Sequence, residues 1–241
     1  MSSDHDFPNT RWSVVLEARD PDSALRHRAL ERICRTYWLP IYAYARGQKL
    51  SPSDAEDLTQ EVLADLLKKE AFAKVGAEKG RLRSFLMVVT KNQLRQGQRN
   101  ASAQKRGGGV PVLSLDFEDA EKRCSLEPAD DETPETLFDR HWGADLLRRA
   151  MERLEAVYLA EGKPEVFAAL RDVIGGRRGD ADYAELAAGL GMTEGATRVA
   201  VHRLRKRYRR LLKEEIALTL DDDSPEAVEE EIRYLFGVFS R

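Results

Sequence analysis

Between Arg198 and Lys213 stand eight Lys and Arg and no acid. At helical pitch, Arg198, Val199, His202, Arg203, Arg205, Lys206, Arg209 and Arg210 spread over one side of this segment. Thr197, Ala200, Val201, Leu204, Tyr208 and Leu211 share the other. A cationic face without acids is complementary to phosphate, whose counterions it displaces. Side chains in the first turns of such a helix reach base edges, and later ones meet the backbone. That assigns Arg198, Val199, His202 and Arg203 to base reading, with arginine able to grip guanine bidentately. Lys206, Arg209 and Arg210 are assigned to phosphate. The plain alternative is a solvated basic face.

Two further sets stand earlier in the chain. In "SPSDAEDLTQEVLADLLKK", Asp54, Asp57, Glu61 and Asp65 fall in one narrow helical arc with Gln60 at its edge. Ala55, Leu58, Val62, Leu63 and Leu66 take the core side, and Thr59 falls among them. Stacked carboxylates repel one another unless a cation meets them, so the arc predicts a basic partner or else a solvated face. In "RLRSFLMVVTKNQLRQGQRN", Leu82, Phe85, Leu86 and Val89 can pack inward while Lys91, Asn92, Arg95, Gln96 and Arg99 point outward. Amides and guanidinium groups suit unpaired bases, whose edges open once they unstack.

The elements that position these sets are helices. Strand alternation is confined to VPVLSL at 110–115, whereas 3.6-residue periodicity recurs throughout. Leu30, Ile33, Tyr37, Ile41 and Tyr44 share a face of a helix that Pro40 should kink. Further helices are expected from Ser53 or Asp54, over Arg81 to Arg99, and again from about Trp142. The net charge of −3 conceals segregation: Lys79 to Arg106 holds eight bases and no acid, while Ser114 to Asp139 holds ten acids against Lys122 and Arg123. This acidic stretch, with Pro128 and Pro134, reads as a flexible linker. "LAAGLGMTEGAT" has helix-turn-helix grammar, with Gly191 in the turn and Thr193 capping the second helix.

The tail opens with Ser224-Pro225, a cap followed by a proline at the first helical position. Val228, Ile232, Leu235 and Phe239 recur there at helical spacing, so that face must dock. The expected seat is the basic segment just before it, either as an acidic lid or as a cap on that domain's core. The expected fold is all-α: two small helical domains joined by a flexible acidic linker, the second containing the helix-turn-helix, plus a C-terminal helix.

In this order the segments resemble a bacterial RNA polymerase sigma factor of the extracytoplasmic-function group. DAEDLTQEVL resembles the helix that grips the polymerase clamp, RLRSFLMVVTKNQLR the helix that melts and reads the minus-ten element, and LAAGLGMTEGATRVAVHRLRKRYRRL the minus-thirty-five reader. The resemblance implies a first domain over residues 10–108, a linker over 109–141, a second domain over 142–215 and an extension over 216–241. It places Asp54, Asp57, Gln60 and Glu61 against polymerase. Lys91, Asn92, Arg95, Gln96 and Arg99 fall at minus-ten DNA, and Arg198, Val199, His202, Arg203, Lys206 and Arg210 at minus-thirty-five DNA. Phe85 stands where that family usually has tryptophan. The implied partners are core RNA polymerase and promoter DNA, duplex and melted, with room for an anti-sigma factor or other regulator.

The competing reading is a helix-turn-helix regulator with an N-terminal sensing or dimerisation domain. Such a domain has no reason to carry the acidic helix followed by the Asn/Gln/Arg-rich one. An enzyme is disfavoured. His5, His27, His141 and His202 are scattered, no Cys/His ligand spacing exists, and no glycine-rich phosphate loop follows a strand. No cofactor or metal is therefore expected. MSSDHDFPNTRW lacks a basic start and an apolar run, and Cys34 and Cys124 lie far apart. Both point to a cytoplasmic protein with no membrane role.

Overall fold

The computed structural model describes residues 23–67, 82–100, 132–174, 183–220 and 224–240. Among the described residues there are eight α-helices and no strand. They are α1 (Ser23–Gly47), α2 (Pro52–Leu67), α3 (Leu82–Asn100), α4 (Pro134–Ala160), α5 (Pro164–Ile174), α6 (Tyr183–Leu190), α7 (Glu194–Ala217) and α8 (Pro225–Phe239). The chain divides into two compact units, Met1–Asp145 with Ala217–Arg241, and Leu146–Ile216. VPVLSL, the glycines at 107–109, residues 175–182 and the acidic stretch up to residue 131 lie outside the described residues.

In the first unit α1 is the central helix. The expected face of Leu30, Ile33, Tyr37, Ile41 and Tyr44 is buried, but burial extends to Cys34, Trp38 and Tyr42 as well. From Thr36 to Ala45 every residue is buried, as in a helix with neighbours on all sides. The helix runs through Pro40 instead of ending there. α2 packs on both α1 and α3 through Ala55, Leu58, Val62, Leu63 and Leu66. Thr59 and Thr90 are buried with their hydroxyls donating to the carbonyls of Ala55 (2.7 Å) and Leu86 (2.8 Å), the local bond that satisfies such a group inside a helix.

Three helices, α2, α4 and α8, start in the same way, with a Ser or Thr cap followed by proline. The Ser51 hydroxyl accepts from Asp54 N at 3.1 Å, so α2 opens at Pro52, ahead of the expected Ser53 or Asp54. The Ser224 hydroxyl accepts from Ala227 N at 3.3 Å. Thr133 does the same for Thr136 N at 3.2 Å. α4 therefore begins at Pro134, before the expected start near Trp142, and the end of the acidic stretch is helix and not linker. Leu137, Phe138 and Trp142 are buried in the first unit, which is what draws that segment into helix.

The tail corrects the expectation more strongly. α8 belongs to the first unit and not to the one that holds most of the basic helix α7. Its buried residues are Val228, Glu231, Leu235 and Val238, while Phe239 stays 42% exposed. The buried face is thus turned toward a charged residue. Glu231 accepts from Arg83 Nε at 2.9 Å, and Arg83 Nη1 donates to Asp139 at 3.0 Å. The Arg83 guanidinium lies over the rings of Trp142 (5.2 Å) and Tyr234 (4.2 Å), and the Tyr234 hydroxyl donates to Asp139. Burial alone would make Arg83 easier to deprotonate, but the charges of Glu231 and Asp139 outweigh it and the net displacement is upward. α8 also approaches Gly143 closely: a methyl group there would stand 2.8 Å from Leu235 Cδ2 and 2.9 Å from Phe239 Cε2.

Burial pushes the Cys34 thiol up to about 12. At neutral or mildly alkaline pH it therefore stays a protonated, unreactive thiol. In a Cys124→Ser background we expect no alkylation by iodoacetamide at pH 8 until denaturant is added. Rapid labelling of the folded protein would show that α1 is not enclosed.

Candidate functional site

On α2, Asp54, Asp57, Gln60 and Glu61 are all exposed, and Asp65 is half-buried. Asp54 accepts from the Ser51 hydroxyl at 2.7 Å, and Glu61 accepts from Gln93 Nε2 of α3 at 3.3 Å. Among the described residues no cation pairs with Asp54, Asp57 or Glu61. Asp54, Asp57 and Glu61 therefore stand on one outward arc with no cation among the described residues to relieve their mutual repulsion.

On α3, Asn92, Arg95 and Gln96 are exposed, and they extend a line begun by Ser84 and Val88. At 100° per residue these five share an arc about 120° wide. Val88, 54% exposed, was missed in the sequence because an aliphatic residue beside Leu86 and Val89 reads as core. Lys91 differs from the others: its ammonium pairs with Glu135 of α4 at 2.8 Å. That hydrogen bond raises the pKa of Lys91 and lowers that of Glu135. Arg99 lies within α3, but its side chain is outside the described residues. Leu82 and Leu86 are buried as expected, with Phe85 and Val89 half-buried, and Arg83 and Thr90 join them on the inner side.

In the second unit, α6 ends in a Schellman arrangement. Met192 N donates to Ala187 O (2.9 Å) and Gly191 N to Ala188 O (3.3 Å), with Gly191 at φ +61°. Thr193 then caps α7, its hydroxyl accepting from Ala196 N at 3.2 Å. Thr197, Val201, Leu204 and Leu211 are buried, and the Tyr208 hydroxyl donates to Leu147 O of α4. The acids that follow the basic run serve the same packing: Arg153 donates to Glu214 (2.6 Å) and Glu215 (3.0 Å).

All the predicted reading side chains, Arg198, Val199, His202, Arg203, Lys206 and Arg210, are exposed on α7. They are not equally committed. Arg198 lies over the Tyr183 ring at 4.3 Å and pairs with Glu194 at 3.6 Å. Arg205 donates to Val173 O, Arg207 pairs with Glu161 at 2.7 Å, and Arg210 approaches Glu214 at 3.9 Å. Among the described residues Arg203, Lys206 and Arg209 form no ion pair. No three His, Cys, Asp or Glu side chains gather as a metal set among the described residues, and no described helix is long and apolar enough to cross a membrane.

Comparison with known proteins bears on the first unit. Residues 27–104 match the family model for Sigma-70 region 2. The match spans α1 from residue 27, all of α2 and all of α3, and it supports a sigma-70 family sigma factor. No curated protein and no solved structure matches the chain.

Gly191 occupies a conformation that costs an L-residue about 1–2 kcal/mol. Gly191→Ala should lower the stability of the second unit by about that amount in chemical denaturation. An unchanged midpoint would show that the turn relaxes at no cost.

Proposed function

We propose that this chain is a sigma factor of the extracytoplasmic-function group, which binds core RNA polymerase, directs it to promoters and opens them. The observation that carries the reading is the region 2 match over the same α2 and α3 that bear the two outward stripes. Asp54, Asp57, Gln60 and Glu61 form the polymerase contact, where a basic surface relieves the carboxylate repulsion. Asn92 and Gln96 hydrogen-bond unstacked bases of the minus-ten element, and Arg95, Arg99 and Lys91 hold its backbone. Lys91 must exchange Glu135 for phosphate, so its share is the smallest. The matched segment brings polymerase binding and promoter melting; the remaining roles rest on surface chemistry.

The second unit reads the minus-thirty-five element as duplex. Arg198, held over Tyr183 and beside Glu194, joins Val199, His202 and Arg203 in the base-reading row. Lys206 and Arg210 fix the register on phosphate. The protein carries no reaction of its own; bond formation belongs to the polymerase. Its partners place it in the cytoplasm, and an anti-sigma protein or another regulator would act on the same two exposed surfaces.

Reversing the stripe tests the first contact. Asp57→Lys combined with Glu61→Lys should abolish co-purification with core RNA polymerase while the protein stays folded. Retention at the wild-type level would reduce the stripe to a solvated face.

Reading and holding separate in a pair of variants on α7. Arg203→Ala should lose about 1–3 kcal/mol of discrimination between matched and mismatched upstream elements. Lys206→Ala should weaken all sequences alike and flatten the salt dependence. The reverse pattern in titrations would mean that α7 is rotated in its groove.

A further inference from the structure

Arg83 sits in the first turn of α3, on the side turned away from the exposed stripe. At 100° per residue it lies about 160° from the centre of the Ser84–Gln96 arc, and Asn92 is about 13 Å farther along the helix. Its guanidinium is a planar fork, and two of its nitrogens donate to carboxylates on two different helices, Asp139 of α4 and Glu231 of α8. Tyr234 adds a ring under the cation and a hydroxyl on Asp139. Apolar packing alone lets a helix roll by small increments. A buried fork with two anchored ends does not, because any roll leaves a charge without its partner.

We propose that α8 is a working part of the first unit: through Arg83 it fixes the rotation of α3, and promoter opening therefore depends on the C-terminal segment. Arg83, Glu231 and Tyr234 act as positioning residues, touching no DNA themselves. The acidic tail is then neither a lid on the basic face nor a loose extension. The inference rests on the minus-ten role given to α3, but its first test does not.

The test uses the full-length protein with Glu231→Gln, which keeps size and removes charge, and Tyr234→Phe, which removes only the hydroxyl. Hydrogen exchange should accelerate by at least about tenfold at Leu86–Gln96 in Glu231→Gln, the lower end for losing a bond to a charged group, and by less in Tyr234→Phe. Exchange over α5 to α7 should not change. Faster exchange confined to α7 would overturn the proposal by seating the tail on the other unit.

The second readout is permanganate reactivity of promoter thymines with core polymerase. Both variants should assemble with polymerase as the wild type does and open less, by about tenfold for Glu231→Gln. Arg83→Lys keeps the charge but not the fork, and it should open as poorly. Normal opening by Arg83→Lys and Glu231→Gln, or assembly and opening falling together, would make the cluster a mere fastening and defeat the proposal. If the wild type itself opens no promoter, the functional reading falls, and the exchange result alone decides whether α8 holds α3.

Discussion

A guanidinium taken out of water must be met by charge, and in this protein that requirement organises the first unit. Arg83 is buried between Asp139 and Glu231, residues far away in the chain. Withdrawing one partner from a buried pair costs about 3–5 kcal/mol, far more than most single apolar contacts. The stability of α3 is therefore tied to the first turns of α4 and to α8. The second unit repeats the device in milder form. Glu215 is buried against Arg149 and Arg153, so the helix with most of the outward positive charge is itself held by inward carboxylates.

This division of charge shapes the surfaces. Cations needed for packing are paired inside each unit, while Asp54, Asp57 and Glu61 on α2 and Arg203, Lys206 and Arg209 on α7 have no ion-pair partner among the described residues. A carboxylate row on α2 seeks a basic surface. Under the proposed function the amide and guanidinium row on α3 meets hydrogen-bonding edges and the cationic row on α7 meets phosphate. Each row stands on a helix whose opposite face is buried, so the functional groups are aimed by the core.

Much of this was legible in the sequence. The periodicity of α1, α2 and α7 marked their buried faces, and Thr59 could be assigned to the core from its arc. Gly191 and Thr193 announced the turn between α6 and α7. Part of what escaped was charge in the core. Arg83 stands among bases and Glu231 among acids, and nothing in the neighbouring residues marks either as buried. Periodicity showed that α8 had a face to bury but not where, because docking partners far apart in sequence leave no local signature. The start of α4 could have been found: Thr133-Pro134-Glu135 has the same grammar as Ser224-Pro225-Glu226. It was hidden by the surrounding acids, which read as linker.

The measurement that bears most directly on the account is run-off transcription from fragmented genomic DNA by core RNA polymerase, with and without this protein. The account predicts new transcripts that appear only when the protein is added, whose start sites share one upstream duplex element and one element at the melted region. Polymerase that yields the same starts in the absence and presence of the protein would contradict it.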